Sequence, residues 1–204
     1  IVLNNCTDNT LNVVKKYSKK SPVIKYLDLK PGGKGFATIM GFNHALQGKS
    51  KEIGFVDADL STKVEDFIDL YNNINNCDGV IASRWKKGAK TKRSFGKLIR
   101  SKGFNYLVRF LFLFPYEDTQ CGAKIFKREV IEKVVHNIDI PEWAFDVNIL
   151  YLCKKNDFKI KEYPTIWEDK EGSQLNKPFK IPMQMAAGVI RLRLLYSPFE
   201  FFVR

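Results

Sequence analysis

The sequence has few of the residues that build metal clusters or disulfide frameworks. Its 204 residues include four cysteines and two histidines, and no two cysteines form a Cys-x-x-Cys pair. The cysteines lie far apart in the chain, at Cys6, Cys77, Cys121 and Cys153. This spacing argues against a zinc site and against a small disulfide framework. It favours a reducing, cytosolic setting.

A long uninterrupted apolar run is also missing. A membrane-spanning helix needs roughly 20 consecutive apolar residues. The last apolar stretch of the chain is interrupted by Arg191 and Arg193. We therefore expect that the sequence, as it stands, does not cross a bilayer. With 45% hydrophobic residues it can still bury a substantial core, and its length favours one globular domain.

Negative charge is scarce relative to positive charge. The chain has 34 Lys and Arg against 22 Asp and Glu, a net charge of +12. This excess favours an anionic partner, which can be nucleic acid, an acidic membrane face or a phosphorylated substrate. Residues 84–102 are especially basic, and we predict a mobile segment that runs into a helix near Leu98. Its basic residues are Arg84, Lys86, Lys87, Lys90, Lys92, Arg93, Lys97, Arg100 and Lys102.

Short apolar runs alternate with stretches of helical periodicity. The runs at 1–3, 23–27, 53–56 and 79–82 are typical of buried strands. Between them, residues 11–17, 36–46 and 64–74 place apolar side chains at helical spacing. Strands that alternate with helices predict an α/β fold with a mostly parallel central sheet and helices on both faces.

Two aspartates follow the third predicted strand, in Asp57-Ala58-Asp59. Ligands of open parallel sheets bind beyond the carboxyl ends of the strands. Residues two apart in an extended chain point the same way, so both carboxylates can face one cation. Carboxylate oxygens suit Mg²⁺ or Mn²⁺, which bridge to substrate phosphates. Taken alone, the motif is more typical of an exposed polar turn before a helix.

A glycine-rich loop precedes the second predicted helix. Its residues, Gly32-Gly33-Lys34-Gly35, open that helix at the point where free backbone N–H groups and the helix dipole favour an anion. The spacing differs from that of the NTPase phosphate loop. A flexible turn is the simpler interpretation of the loop alone. Two phosphate-type features on successive strand ends favour a phosphate site.

The order of the motifs resembles glycosyltransferase family 2, whose members use nucleotide sugars and have the GT-A fold. Within the family, the resemblance is closest to dolichyl-phosphate glucosyltransferases and dolichol-phosphate mannose synthases. The matching segments cover nearly the whole chain, at 4–10, 33–35, 57–61, 83–84, 118–122, 143–146 and 167–173.

The resemblance implies an α/β GT-A catalytic domain over residues 1–180, followed by an amphipathic segment over 181–204. Family members begin with another strand and helix, and we expect that these are missing before Ile1. The family also often has Asp-Asp in the first polar turn, where this chain has Leu3 and Asn4. An asparagine can still hydrogen-bond a base edge but carries no charge.

The resemblance also implies an inverting transfer of a hexose, with UDP-glucose as the favoured donor and dolichyl or polyprenyl phosphate as the acceptor. Asp57 and Asp59 would hold Mg²⁺ or Mn²⁺ on the diphosphate, and Asp59 is the first catalytic candidate. Asp118 and Asp146 are the other catalytic candidates, as a base or in orienting sugar or metal. The remaining donor-binding candidates are Asn4, Asp8, Gly33, Lys34 and Ala58.

Three residues of the basic segment correspond to positions where lipid-linked transferases grip the acceptor phosphate, namely Arg84, Lys97 and Ser101. Arginine and lysine suit that task. A solvated loop is the alternative. Nucleic acid is disfavoured as a partner, because the segment offers only Trp85 and Phe95 for base stacking and no recognised binding module.

The apolar and aromatic C-terminal segment can lie in a membrane interface with its arginines at the head groups, or form an ordinary core helix. We expect the protein at the cytoplasmic face of a membrane, the endoplasmic reticulum in a eukaryote or the plasma membrane in a prokaryote. Three other functions stay open. They are a GDP-mannose-dependent dolichol-phosphate mannose synthase, a transferase acting on a glycan hydroxyl, and an inactive anion-binding module.

Overall fold

The computed structural model describes residues 1–30, 32–92, 95–139, 144–168 and 180–203, without the side chains at 95, 97, 180 and 181. Two pieces of the sequence motifs, Trp143 and Gly172-Ser173, lie outside the described residues. So does the side chain of Lys97, whose backbone belongs to a helix.

Strands and helices alternate along most of the chain. The strands are β1 (Val2–Asn4), β2 (Leu27–Leu29), β3 (Glu52–Val56), β4 (Gly79–Ser83), β5 (Lys90–Lys92), β6 (Ala123–Lys127), β7 (Ile160–Pro164) and β8 (Ile166–Glu168). The helices are α1 (Thr10–Lys20), α2 (Lys34–Leu46), α3 (Val64–Asn72), α4 (Phe95–Phe112), α5 (Arg128–Val134), α6 (Phe145–Lys155) and α7 (Lys180–Leu195). Short 3₁₀ helices occupy Val135–Asn137 and Glu200–Phe202.

The central sheet is mixed rather than mostly parallel, which corrects that part of the prediction. Its order is β3-β6-β4-β7, and β6 runs antiparallel to both of its neighbours, while β4 and β7 are parallel. The α/β class itself is confirmed. Two smaller parallel pairs, β1 with β2 and β5 with β8, complete the strand pairing of the described residues.

The basic segment contains more regular structure than the sequence predicted. Residues 90–92 form β5 beside β8, and α4 begins at Phe95, a few residues before Leu98. The reason lies outside the segment, because the partner strand β8 is more than 70 residues further along the chain. Local composition therefore gave no signal for β5.

Both faces of the central sheet are covered, because its strands alternate their side chains between two cores. On one face, Val80 and Ile125 pack with Leu70 of α3. On the other face, Ile81 and Phe126 join the larger core formed with the helices. The side chains that follow β3 and precede β6 therefore extend from strands that are packed on both faces.

Helix α7 packs on this larger core and carries apolar side chains on its outer side as well. Val189 and Leu192 are fully buried, whereas Met183 and Ile190 are exposed. Arg193 donates from Nε to the carbonyl of Leu111 in α4, at 3.0 Å. Among the described residues, no helix combines the length and apolar character required to cross a membrane.

Candidate active site

The site lies at the carboxyl end of β3, where the chain leaves the central sheet. Asp57 follows β3 directly, and its N–H donates to the carbonyl of Gly122 at 2.8 Å. Lys34, the first residue of α2, places its Nζ 3.0 Å from both carboxylate oxygens of Asp57. The structure therefore joins the glycine loop to the aspartate motif, the two features that the sequence placed on successive strand ends.

A second carboxylate, Asp146, faces the same lysine from the first turn of α6. Its Oδ2 lies 3.6 Å from Lys34 Nζ, and its Oδ1 lies 2.6 Å from Nζ of Lys124 in β6. Lys124 Nζ also donates to the carbonyl of Cys121 at 2.6 Å. Two ammonium groups and two carboxylates thus alternate in one network, from the half-buried Asp57 to the buried Lys124.

The charges in this network are fixed by their neighbours. Burial by itself raises the pKa of Asp146, but the ammonium groups of Lys124 and Lys34 outweigh it and hold that pKa below its ordinary value. Burial opposes the charge of Lys34, yet Asp146 and Asp57 raise the pKa of Lys34 above its ordinary value. Asp146 is therefore an anion and Lys34 a cation at neutral pH.

The start of α2 is shaped to receive an anion. Gly33 caps the helix at φ 134°, a backbone conformation that favours glycine, and no side chain caps the first turn. The N–H groups of the first turn have no intrahelical partners. The side chain of Lys34, which is 45% exposed, lies at the same end of the helix and carries an ammonium group. Both features favour a phosphate group.

Asp59 lies in a turn rather than in extended chain, because β3 ends at Val56. The expectation that strand geometry directs Asp57 and Asp59 the same way is therefore wrong. Asp59 and Ala58 are exposed, and Asp59 Oδ1 accepts the N–H of Ser61 at 2.9 Å. Leu60, between Asp59 and Ser61, has φ 58°. This left-handed conformation costs free energy in residues other than glycine and is often found at functional sites.

The donor atoms here fit a metal ion only if a substrate completes its coordination. Among the side chains that the structure describes, no group of three or more His, Cys, Asp or Glu residues is placed to hold an ion. Mg²⁺ is commonly bound by one or two carboxylates together with water and substrate phosphates. Asp57 and Asp59 are such a set, so these residues fit a diphosphate-bound ion better than an all-protein metal site.

Two donor-binding candidates near the N-terminus occupy different surroundings. Asn4 ends β1, and its Oδ1 is buried without a hydrogen-bond partner among the described residues. A buried acceptor without a donor costs free energy, so a ligand N–H would stabilise it. Asp8 is exposed, and its Oδ1 accepts the N–H of Thr10 at the start of α1. Their roles in donor binding stay predictions.

Asp118 and Arg84 form one buried ion pair, which the sequence did not predict. Arg84 donates from Nε to Oδ2 at 2.6 Å and from Nη2 to Oδ1 at 2.8 Å, and its backbone N–H donates to Oδ2 at 3.0 Å. Burial raises the pKa of Asp118, but the guanidinium group outweighs it and holds that pKa below its ordinary value. The roles of catalytic base and acceptor-phosphate ligand stay predictions for this pair.

Helix α4 is tied to the loop that carries Asp118. Asn105 Oδ1 accepts the N–H of Thr119 at 3.2 Å, and its Nδ2 donates to the carbonyl of Ser101 at 3.1 Å. Ser101 therefore lies one helical turn from a side chain that holds the Asp118 loop. Lys97 lies one turn further toward the start of α4.

Lys124 is the site residue that the sequence analysis missed. It is fully buried although it stands in the strand sequence Ala123-Lys124-Ile125-Phe126, where alternation places it on the same face as the buried Phe126. A charged residue at a core position of an apolar strand is the signal that was available. The same charge interrupts the apolar run that would otherwise predict a strand over residues 123–127.

Comparison with known proteins identifies the family. The family model described as glycosyl transferase family 2 matches residues 1–135. The dolichyl-phosphate beta-glucosyltransferase of Dictyostelium discoideum is 35% identical over 96% of this chain and 62% of its own length. The human dolichyl-phosphate beta-glucosyltransferase is 32% identical over 96% of this chain and 63% of its own length. The chain thus spans less than two thirds of these relatives.

Solved structures share the fold. Glucosyl-3-phosphoglycerate synthase of Mycobacterium tuberculosis in complex with uridine diphosphate superposes with a TM-score of 0.64 at 13% identity, over 92% of this chain and 65% of that one. Mannosyl-3-phosphoglycerate synthase of Rubrobacter xylanophilus gives a TM-score of 0.52 at 12% identity, over 100% and 75% of the respective chains. The fold of this chain is the GT-A fold.

Proposed function

Because this chain belongs to glycosyl transferase family 2, we propose that it transfers a hexosyl group from a nucleotide sugar to dolichyl phosphate. The observation that carries the proposal is the network at the end of β3, where Lys34 and the open start of α2 meet the Asp57 motif. A cation, free N–H groups and carboxylates within one site are the combination that a nucleotide diphosphate bound with a metal ion requires. The names of the relatives support the acceptor.

We propose UDP-glucose as the donor. The relatives that match over 96% of this chain are named glucosyltransferases, and a structure of similar fold holds uridine diphosphate. The unpartnered Oδ1 of Asn4 is an acceptor, and the N3–H of uracil is a donor of the matching kind. GDP-mannose is the alternative donor that the sequence left open.

In this proposal the diphosphate lies against the start of α2, where the first-turn N–H groups and Lys34 bind its oxygens. Asp57 and Asp59 would hold Mg²⁺ or Mn²⁺, which when bound offsets the negative charge of the departing nucleoside diphosphate. The bond from the anomeric carbon to the diphosphate breaks as an oxygen of the acceptor phosphate forms its bond from the opposite face. The configuration at that carbon is inverted.

The acceptor phosphate requires little help from a base. A phosphate monoester has a second pKa of about 6, so at neutral pH its oxygen is mostly ionised before it attacks. This agrees with the low pKa of Asp118, because a carboxylate held by a buried guanidinium is a weak base. We propose that Lys97 and Ser101, at the start of α4, bind the phosphate, and that Arg84 orders the neighbouring Asp118 loop.

We propose that α4 and α7 face the membrane that supplies the lipid. Both helices expose large apolar side chains beyond those that they bury, and both carry arginines. Such helices bind membrane interfaces with apolar side chains inserted and cations at the head groups. Exposed examples are Tyr106 and Phe110 in α4 and Met183 and Ile190 in α7. A cytoplasmic membrane face is the corresponding location.

The direct test is a transfer assay on the full-length protein. Purified protein is incubated with Mg²⁺ or Mn²⁺, dolichyl phosphate in detergent, and either labelled UDP-glucose or labelled GDP-mannose, and label is followed into the organic phase. We expect label from UDP-glucose and little from GDP-mannose. Lipid label from GDP-mannose alone would assign the mannosyl reaction. Label on an added glycan but not on lipid would overturn the acceptor, and no transfer with either donor would favour an anion-binding module.

Gly122 offers a test of the geometry around Asp57. A Cβ atom at Gly122 would overlap the Asp57 carboxylate, so Gly122→Ala must displace Asp57 from Lys34. Because misplacement of about 1 Å can cost roughly 100-fold in rate, we expect transfer to fall by about that factor. Steady-state kinetics with UDP-glucose measure it.

The matched control for this prediction is Gly103→Ala in α4. An added Cβ at Gly103 meets no atom within 4 Å, and alanine favours a helix more than glycine does. We expect this variant to keep full activity. Equal activity of both variants would show that the position of Asp57 does not matter to transfer.

A further inference from the structure

The buried position of Lys124 requires an explanation beyond packing. Its side chain is fully buried, and its Nζ lies 5.5 Å from the centre of the Phe55 ring. Removing a charge from water is expensive, and apolar replacements of buried ion pairs often leave a protein equally stable or more stable. The sequence around it is apolar, so a leucine or methionine would suit the strand. The reason for a positive charge on Lys124 therefore lies in its effect on the carboxylate that it pairs with.

The partner of Lys124 is Asp146, and the two ion pairs of Asp146 differ in closeness. Lys124 Nζ lies 2.6 Å from Oδ1, whereas Lys34 Nζ lies 3.6 Å from Oδ2. The first is a charge-assisted hydrogen bond, and the second distance is longer than a hydrogen bond. Asp146 is therefore neutralised mainly from the buried side. Asp146 holds Lys34 more loosely than Asp57 does, and Lys34 keeps 45% of its side chain exposed.

Without Lys124, only Lys34 would remain within 4 Å to balance Asp146 among the described cations. A buried carboxylate with no other counter-charge would draw Lys34 into a close ion pair. The ammonium group of Lys34 would then be paired with Asp146 inside the protein and would no longer be accessible to a ligand at the start of α2.

We propose that Lys124 is a positioning residue that neutralises Asp146 and thereby leaves Lys34 available to the diphosphate of the donor. The inference rests on the proposed function, because it assigns Lys34 to that diphosphate. It concerns affinity for the donor rather than the transfer step. A second contact, from Lys124 Nζ to the carbonyl of Cys121, keeps the ammonium group fixed under Asp146.

The test measures binding of UDP-glucose and of GDP-mannose to the full-length protein by calorimetry, without acceptor. We expect Lys124→Met to raise the Kd of the preferred donor about 10-fold, as is typical of coupled charged residues. The double variant Lys124→Met with Asp146→Asn should bind nearly as tightly as the unmodified protein, because Lys34 no longer has a competing carboxylate. Lys34→Met should bind weakly with or without the Lys124 change.

Unchanged affinity in Lys124→Met, or weak binding that persists in the double variant, would overturn the inference and leave Lys124 a packing role. If Lys124→Met does not fold, Lys124→Gln serves instead, because glutamine keeps a hydrogen-bond donor but not the charge. It should weaken binding in the same direction, and unchanged affinity would again overturn the inference. Absence of binding of both nucleotide sugars to the unmodified protein would instead overturn the proposed function, and the inference with it.

Discussion

Replacement of Asp59 by asparagine is expected to lower transfer by roughly 100- to 1,000-fold while leaving the fold intact. Stabilisation of developing charge by a bound metal ion contributes several kcal/mol, which corresponds to that range of rates. The side chain of Asp59 is exposed, and its Oδ1 accepts the N–H of Ser61. Asparagine keeps this acceptor but removes the charge, so the turn is preserved and the metal ligand is weakened.

The matched control is Asp69→Asn, which removes the same charge from an exposed position on α3. We expect this variant to transfer at the rate of the unmodified protein. Binding of Mn²⁺ in the presence of uridine diphosphate supplies a second measurement that does not depend on turnover, and it should weaken in Asp59→Asn only. Full transfer by Asp59→Asn would remove Asp59 from the proposed metal site, whatever the result with Asp69.

The elements that the sequence predicted well are those whose signal is local. Strands β3 and β4 are short apolar runs bounded by polar residues, and their predicted and observed bounds differ by one residue. Strand β6 was missed because Lys124 interrupts its apolar pattern, and the charge of that lysine is balanced by Asp146, 22 residues further along the chain. The mixed character of the sheet follows from β6 and could not be predicted without it.

In the candidate site, too, some contacts could be expected from local sequence and others depend on residues far apart in the chain. The meeting of Lys34 with Asp57 agrees with the expectation that loops after successive strands lie close together, although β2 and β3 belong to separate sheets. The pairing of Arg84 with Asp118 depends on where β4 ends relative to the loop before β6, across 34 residues. That relation is set by strand register, for which the sequence of either segment carries no signal.

The buried ion pair of Arg84 and Asp118 leads to the largest expected effect on stability. Asp118→Asn leaves the guanidinium group buried without its counter-charge, and breaking such a pair costs about 3–5 kcal/mol. For a chain of 204 residues this corresponds to a fall in melting temperature of roughly 6–20 °C. The backbone N–H of Arg84 donates to Oδ2 of Asp118 and that of Gln120 to Oδ1, and asparagine keeps only one oxygen, so the loss reports the charge together with one hydrogen bond. Thermal unfolding followed by circular dichroism measures it.

Two further variants test whether the loss of stability comes from the burial of the Arg84–Asp118 pair or from the loss of any ion pair. Glu132→Ala breaks the exposed pair of Glu132 with Arg128, which has a similar distance of 2.7 Å, and should cost only about 0.5 kcal/mol. Adding Arg84→Met to Asp118→Asn removes both buried charges and should recover most of the lost stability. An Asp118→Asn variant that unfolds within 2 °C of the unmodified protein would contradict the expectation, as would a double variant less stable than the single one.

The same pair predicts how stability depends on pH. The pKa of Asp118 is lower in the folded chain than its unfolded value of about 3.9, so the folded state favours the ionised carboxylate. The contribution of the pair to stability is therefore complete above about pH 4 and declines as the pH falls through the lowered pKa. The variant with both Arg84→Met and Asp118→Asn lacks this contribution, so its melting temperature should fall less steeply between pH 4 and pH 2. The difference in the free energy of unfolding is at most about 1.4 kcal/mol for each pH unit, because one carboxyl group takes up at most one proton. Parallel slopes for the two proteins in that range would mean that Asp118 does not titrate with the folding of the chain.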